Sequence, residues 1–207
     1  MVKKYSELYR DARKALLPID GPHQAGTTAR ELLQLASGKS AAELLADGEK
    51  YADTAVCIAL EKYLQRMEKG EPLAYILGEW EFYGLPLYVT KDVLIPRDDT
   101  CAVTALAIKK GLFLDQDPRI LDLCTGSGCI AWTMAAECVA ESFVRECASD
   151  ACGRSGVLVE AVDISEGALA TASSQHFEET VSVRFHKADV LKDPDPTIFA
   201  EESYDLI

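Results

Sequence analysis

Ile120-Leu-Asp-Leu-Cys-Thr-Gly-Ser-Gly-Cys-Ile-Ala131 begins as an apolar strand, passes Asp122, crosses a loop of small residues and enters a helix. The pattern predicts a strand over Ile120–Leu123 and a helix from about Gly128. Glycines at 126 and 128 permit a tight turn and let a ligand approach the backbone, while the helix N-terminus offers unpaired amides. By itself this is a nucleotide-site signal. Gly126-Ser-Gly128-Cys-Ile-Ala131 also satisfies GxGxxA, the dinucleotide fingerprint, and a purely structural tight turn would read the same way.

Strands and helices alternate on the C-terminal side of this segment. Strand Val157–Val162, helix Glu166–Ser174, strand Val181–Phe185 and a last strand Tyr204–Ile207 give the rhythm of a parallel, doubly wound sheet. One stretch, between about Ala140 and Gly156, makes the first crossover unusually long and is expected to be a surface excursion. On the N-terminal side, Glu79-Trp-Glu-Phe-Tyr-Gly-Leu-Pro-Leu-Tyr-Val alternates and is rich in aromatics. It predicts a β-hairpin with Gly84 and Pro86 at the turn, followed through Val93-Leu-Ile-Pro-Arg97 by a helix over about 101–110.

The first seventy-odd residues read as helices. Leu8, Tyr9, Ala12 and Leu16 lie near helical spacing between Tyr5 and Leu17, and Pro18 is expected to end that helix. Thr28-Ala-Arg-Glu31 and Ser40-Ala-Ala-Glu43 both fit the capping box, with Gly38 and Gly48 as stops. A longer helix is expected from about Asp53 to Lys69, stopping at Gly70 and Pro72. Small amphipathic helices bury their stripes only against one another, so residues 1–74 form a helical bundle without a catalytic constellation. Residues 75–207 form the hairpin and the α/β domain.

Two hundred and seven residues, 27% charged and 48% hydrophobic, describe a globular chain rather than a disordered one. No apolar run approaches the ~20 residues that span a bilayer. The N-terminal MVKKYSELYRDARK has no apolar segment behind its charges, so it is not a secretory signal. Of the charged residues, 1–75 hold 11 Lys+Arg against 11 Asp+Glu, and 76–207 hold 10 against 23, so the net −13 belongs to the second part. That field repels phosphate backbones and speaks against direct nucleic-acid binding there. Lys3, Lys4, Arg10, Arg13 and Lys14 are a solvated helix face or a docking surface for an acidic or RNA-associated partner. Seven cysteines, at 57, 101, 124, 129, 138, 147 and 152, form no regular framework and read as free thiols in a reducing cytoplasm. Cys138, Cys147 and Cys152 have neither a CxxC pair nor a nearby His, so no metal is expected. His23, His176 and His186 pair with no nucleophile.

Three acids discriminate among ligands for the glycine-rich loop. Asp122 puts a negative charge beside it, unhelpful to a pyrophosphate but favourable to a sulfonium and an ammonium group. Asp163 ends the second strand, where a carboxylate can accept both hydroxyls of a ribose. Asp189 follows the third strand and can accept from an adenine amino group, with Val190 packed on the ring. Acids at three consecutive strand ends describe an adenosine with a cationic tail, S-adenosylmethionine.

At these residues the chain resembles a known family. Pro72-Leu-Ala-Tyr-Ile-Leu-Gly78, Glu81-Phe-Tyr-Gly84, Val93-Leu-Ile-Pro-Arg97 with Asp99-Thr100, and Asp122-Leu-Cys-Thr-Gly-Ser-Gly128 are similar to the HemK/PrmC protein glutamine methyltransferases. The resemblance covers about residues 5–207. It implies methyl transfer from S-adenosylmethionine to the glutamine side-chain amide of the Gly-Gly-Gln motif in peptide-chain release factors, with the helical domain helping to dock that substrate. It also implies a cytoplasmic enzyme, taken as a monomer, and a partial Rossmann-like methyltransferase domain. Carried over by position, Cys124, Thr125, Gly126, Ser127 and Gly128 line the methionine part, Asp163 holds the ribose, and Asp189 with Val190 flank the adenine. Arg97 and Thr100 fall near the active-site mouth, or form a structural joint between hairpin and helix.

The chain departs from the family in three ways. Cys124 replaces a glycine often found first in the loop, which is tolerated if its φ is negative. The crossover around 140–156 is longer than the family needs. In the family, a strand like Tyr204-Asp-Leu-Ile207 is followed within a few residues by Asn-Pro-Pro-Tyr, which binds the substrate glutamine. Acceptors there hold the amide with its nitrogen lone pair aimed at the sulfonium methyl. This sequence stops before that motif, so it assigns no catalytic residue, leaves about four parallel strands, and is expected to be inactive alone. Three other readings stay open: a sister group acting on a large-subunit ribosomal protein, an NAD-dependent oxidoreductase using GxGxxA and Asp163, and a non-catalytic partner-binding module.

Overall fold

A computed structural model describes residues 3–112, 118–148, 158–177, 181–192 and 204–207. It divides into two compact units, Met1–Gly78 and Glu79–Ile207.

The first unit is helical: α1 (Tyr5–Ser37), α2 (Ala41–Ala46), α3 (Thr54–Glu68) and α4 (Leu73–Leu77). Leu8, Ala12 and Leu16 share a core with Ala25, Ala29, Leu32, Leu33, Leu60, Met67 and Ile76. The break in α1 is not at Pro18. It comes at Gly21, whose φ of 73° lies outside the helical region, and Pro22 follows as the first residue of the second helical stretch. The capping box expected at Thr28 does not exist: Thr28 is buried inside that second stretch. An N-cap signature needs a helix start, and Gly21-Pro22 had already supplied one. At Ser40 the box forms as expected. Ser40 Oγ accepts from the Glu43 amide at 3.3 Å, and Glu43 Oε2 accepts from the Ser40 amide at 2.8 Å. Gly38 closes α1 in the left-handed region at φ 67°.

The second unit opens with β1 (Glu79–Phe82) and β2 (Leu85–Tyr88), paired antiparallel from Phe82↔Leu85 to Glu79↔Tyr88. The two-residue turn is Tyr83-Gly84, both at positive φ (54° and 78°), the hand that suits a twisted hairpin. Pro86 is not at the turn but inside β2, opposite Glu81. Counting outward from the turn, that pair is a non-hydrogen-bonded one, where a missing N–H costs the ladder nothing.

Next come α5 (Asp98–Leu112), β3 (Arg119–Leu123), α6 (Cys129–Ala148), β4 (Leu158–Asp163), α7 (Glu166–Ser173) and β5 (Val183–Lys187). The three strands are parallel in the order β3-β4-β5. The expected last strand contributes a parallel bridge, Leu206 to Ile120, on the free side of β3. Helix α6 runs through Ala148, so the first part of the long crossover is helical. Its remainder, with Cys152, and the Cys147 side chain lie outside the described residues. Ile120, Val159 and Ala161 pack on Ala131, Met134, Ala135 and Cys138 of α6 and on Ile108 of α5. No helix among the described residues is long and apolar enough to cross a membrane. Cys57, Cys101, Cys124, Cys129 and Cys138 are free thiols.

Candidate functional site

The loop from Leu123 to Gly128 sits where β3 gives way to α6, at the carboxyl end of the sheet. Strand β4 and α6 hold it from both sides. The Thr125 amide donates to Val162 O at 3.0 Å, and the Gly128 amide to Thr125 O at 2.9 Å. Gly126 and Gly128 have φ of 57° and 79°. A Cβ on Gly126 would meet nothing within 4 Å, so that face of the loop is open. A Cβ on Gly128 would lie 2.8 Å from Trp132 Cδ1 and 3.2 Å from Ala172 Cβ, so close packing demands glycine there. Trp132 is itself fixed, its indole N–H donating to Ala172 O at 2.8 Å and its ring stacked on Phe177.

Cys124 is exposed and adopts φ 60°. The condition of a negative φ is not met. The backbone here keeps the conformation that glycine prefers, and the thiol side chain is carried at a steric cost of about 1 to 2 kcal/mol.

The structure brings two of the three acids to this loop. Asp122 is 8% exposed. Its Oδ2 accepts from Thr125 Oγ1 at 2.6 Å. Burial pushes its pKa up to about 6, against the pull of the Thr125 hydroxyl and with a smaller push from the Asp163 charge. Asp163 spans the strand end: Oδ2 accepts from the Gly126 amide and Oδ1 from the Ser165 amide, both at 2.9 Å. Each carboxylate oxygen has a second lone pair, so acceptor capacity toward an added hydroxyl is retained.

Asp189 is engaged locally instead. Its Oδ1 accepts from the Leu191 amide at 3.1 Å, its Oδ2 lies 3.2 Å from Lys192 Nζ, and these contacts hold its pKa below the ordinary value. Val190 is partly exposed beside it. Arg97 is exposed just before α5, and Thr100 in the first turn of that helix donates its amide to Arg97 O at 3.0 Å. Sequence reasoning passed over Ile164, which follows Asp163 and is 60% exposed. An apolar residue directly after a strand-ending acid was the available signal. It also passed over Gln175, buried behind the loop, for which a lone Gln after a helix offers no signal.

The family model of the PrmC N-terminal domain matches residues 7–78. The release factor glutamine methyltransferase of Haemophilus influenzae is 48% identical over 110 residues, 51% of this chain and 38% of that protein. That of Flavobacterium psychrophilum is 33% identical over 149 residues, 71% of this chain and 45% of that protein. The Escherichia coli protein of the same name is 36% identical over 134 residues, 65% of this chain and 47% of that protein. The chain thus spans less than half the length of each of these relatives.

Proposed function

We propose that this chain, which belongs to the HemK/PrmC family, carries the S-adenosylmethionine site of a protein-glutamine methyltransferase that acts on peptide-chain release factors. The observation that carries the reading is the pair of strand-end acids converging on one open glycine loop: Asp122 from beneath, through Thr125, and Asp163 across the Gly126 amide. The donor set fits the group. Gly126 leaves room beside the loop, Asp163 keeps lone pairs for a ribose diol, and exposed Ile164 and Val190 offer apolar walls to an adenine. Asp122, with a pKa of about 6, is mostly ionised at neutral pH and favours a cationic tail over a pyrophosphate.

S-adenosylmethionine, when bound, supplies a methyl group on a positively charged sulfur. This chain's own residues bind and orient. Asp163 stiffens the loop, Cys124 to Gly128 form the wall beside the methionine part, and Asp189 with Val190 border the base. Release factors are the protein substrate in this reading, and the helical unit is their docking domain.

Calorimetry with S-adenosylhomocysteine and with NAD tests the assignment. Saturable binding of the homocysteine compound, with no heat from NAD, is the expected result. Binding of NAD alone, or of neither, would overturn it.

A further inference from the structure

We infer that Gln175 is a positioning residue for the cofactor loop, clamping it to the β-hairpin so that β2 and the loop hold one another in place. The inference rests on the methyl-donor reading for its meaning in catalysis, but its geometry stands by itself.

Gln175 follows α7 and is 6% exposed. Its Oε1 accepts from the Tyr88 amide at 2.8 Å, while its Nε2 donates to Tyr88 O at 2.9 Å and to Ser127 O at 3.2 Å. Only one orientation of the amide satisfies all three, because an amide N–H needs an acceptor and two carbonyls need donors. Tyr88 pairs with Glu79 at the end of the hairpin. By the alternation from the turn, this pair is a non-hydrogen-bonded one, so the N–H and C=O of Tyr88 point away from β1. Gln175 therefore substitutes for a third strand at that residue and spends its remaining N–H on the loop.

The Ser127–Gly128 peptide is thereby held at both ends. Its carbonyl goes to Gln175 and its N–H to Thr125 O at 2.9 Å. This peptide lies between the two positive-φ glycines, where the backbone has most freedom to rotate. The hairpin's exit meets α7 at a second point that does not touch the loop, the Thr90 and Thr171 hydroxyls 2.8 Å apart. Those two attachments separate a residue that merely fastens the hairpin from one that also sets the loop.

The test compares Gln175→Met, Gln175→Glu and Thr90→Val in the 207-residue chain by amide hydrogen exchange and by S-adenosylhomocysteine calorimetry. Gln175→Met is expected to speed exchange of both the Tyr88 and Gly128 amides and to weaken binding about tenfold. Thr90→Val is expected to lower stability while leaving Gly128 exchange and affinity within about twofold of the parent. Gln175→Glu keeps the acceptor for Tyr88 but sets a carboxylate oxygen against two carbonyls. Its affinity relative to the parent should recover as acid restores an O–H donor, a pH dependence that a purely structural role would not produce. Should the Met variant fail to fold, the Glu variant's acid recovery decides the matter.

Unchanged Gly128 exchange in Gln175→Met, or a Glu variant whose relative affinity ignores pH, would overturn the inference. If the parent binds no S-adenosylhomocysteine, the cofactor reading fails and the exchange comparison still decides whether Gln175 sets the loop.

Discussion

Asp122 and Cys124 lie two residues apart and each is held in an unfavourable state. The Asp122 carboxyl, at a pKa of about 6 against an ordinary 3.8, binds its proton more tightly folded than unfolded. Its contribution to stability is therefore full below about pH 4 and lost as pH rises through about 6. Asp122→Asn should show the complement. The stability of the variant minus that of the parent rises between those pH values in denaturant titrations, while on the proposed reading affinity for S-adenosylhomocysteine, which bears an ammonium group, falls at pH 7. Equal pH profiles for the two proteins would refute the burial argument. At Cys124, replacement by glycine removes the steric cost of φ 60° but adds unfolded-chain entropy. The balance favours Cys124→Gly by about 0.5 to 1 kcal/mol, read as a rise in denaturation midpoint.

Among the elements, the centre of the sheet holds a buried polar cluster. Glu160, in the middle of β4, is 8% exposed. It accepts from the Tyr204 hydroxyl, lies 3.2 Å from His186 Nε2 and 3.9 Å from the Arg119 guanidinium. That guanidinium in turn covers the Tyr204 ring. Burial, and then the Glu160 carboxylate, push the Tyr204 phenol up to about 12. The cluster ties residues 204–206 to β3 and β4, together with the Leu121 amide donating to Leu206 O at 3.0 Å. Tyr204→Phe is expected to cost about 1.5 to 3 kcal/mol, since it removes a donor to a buried charge. Urea titration of the two proteins measures it. In the helical unit, Ser40→Ala removes the acceptor of the Glu43 amide. It should cost about 1 kcal/mol, seen as lost helical ellipticity at lower denaturant.

For the molecule as a whole, the net charge of −13 is the dominant long-range feature. Its excess lies in residues 76–207, on the unit that holds the site. Self-repulsion destabilises the compact state and is screened by salt over about 10 Å at 0.1 M ionic strength. Raising sodium chloride from about 10 mM to 150 mM should therefore raise the melting temperature. A falling melting temperature would mean that local ion pairs such as Lys187–Glu166 outweigh the general repulsion.

Periodicity and turn chemistry were local enough to be read directly. The parallel strands, the hairpin, the Ser40 cap and the glycine loop that follows Asp122 were all legible from residues a few positions apart. Thr28 failed because a cap motif competes with whatever starts the helix upstream, and Pro18 because the kink was resolved three residues later at Gly21. Only the folded chain could decide which side chains from distant segments share one place. It set Asp163 on the Gly126 amide, 37 residues away. It set Gln175 between Tyr88 and Ser127, 87 and 48 residues away. It also forced Cys124 into a glycine's conformation. Such pairings depend on how strands and helices close-pack in three dimensions, and packing has no short-range signature in the order of residues.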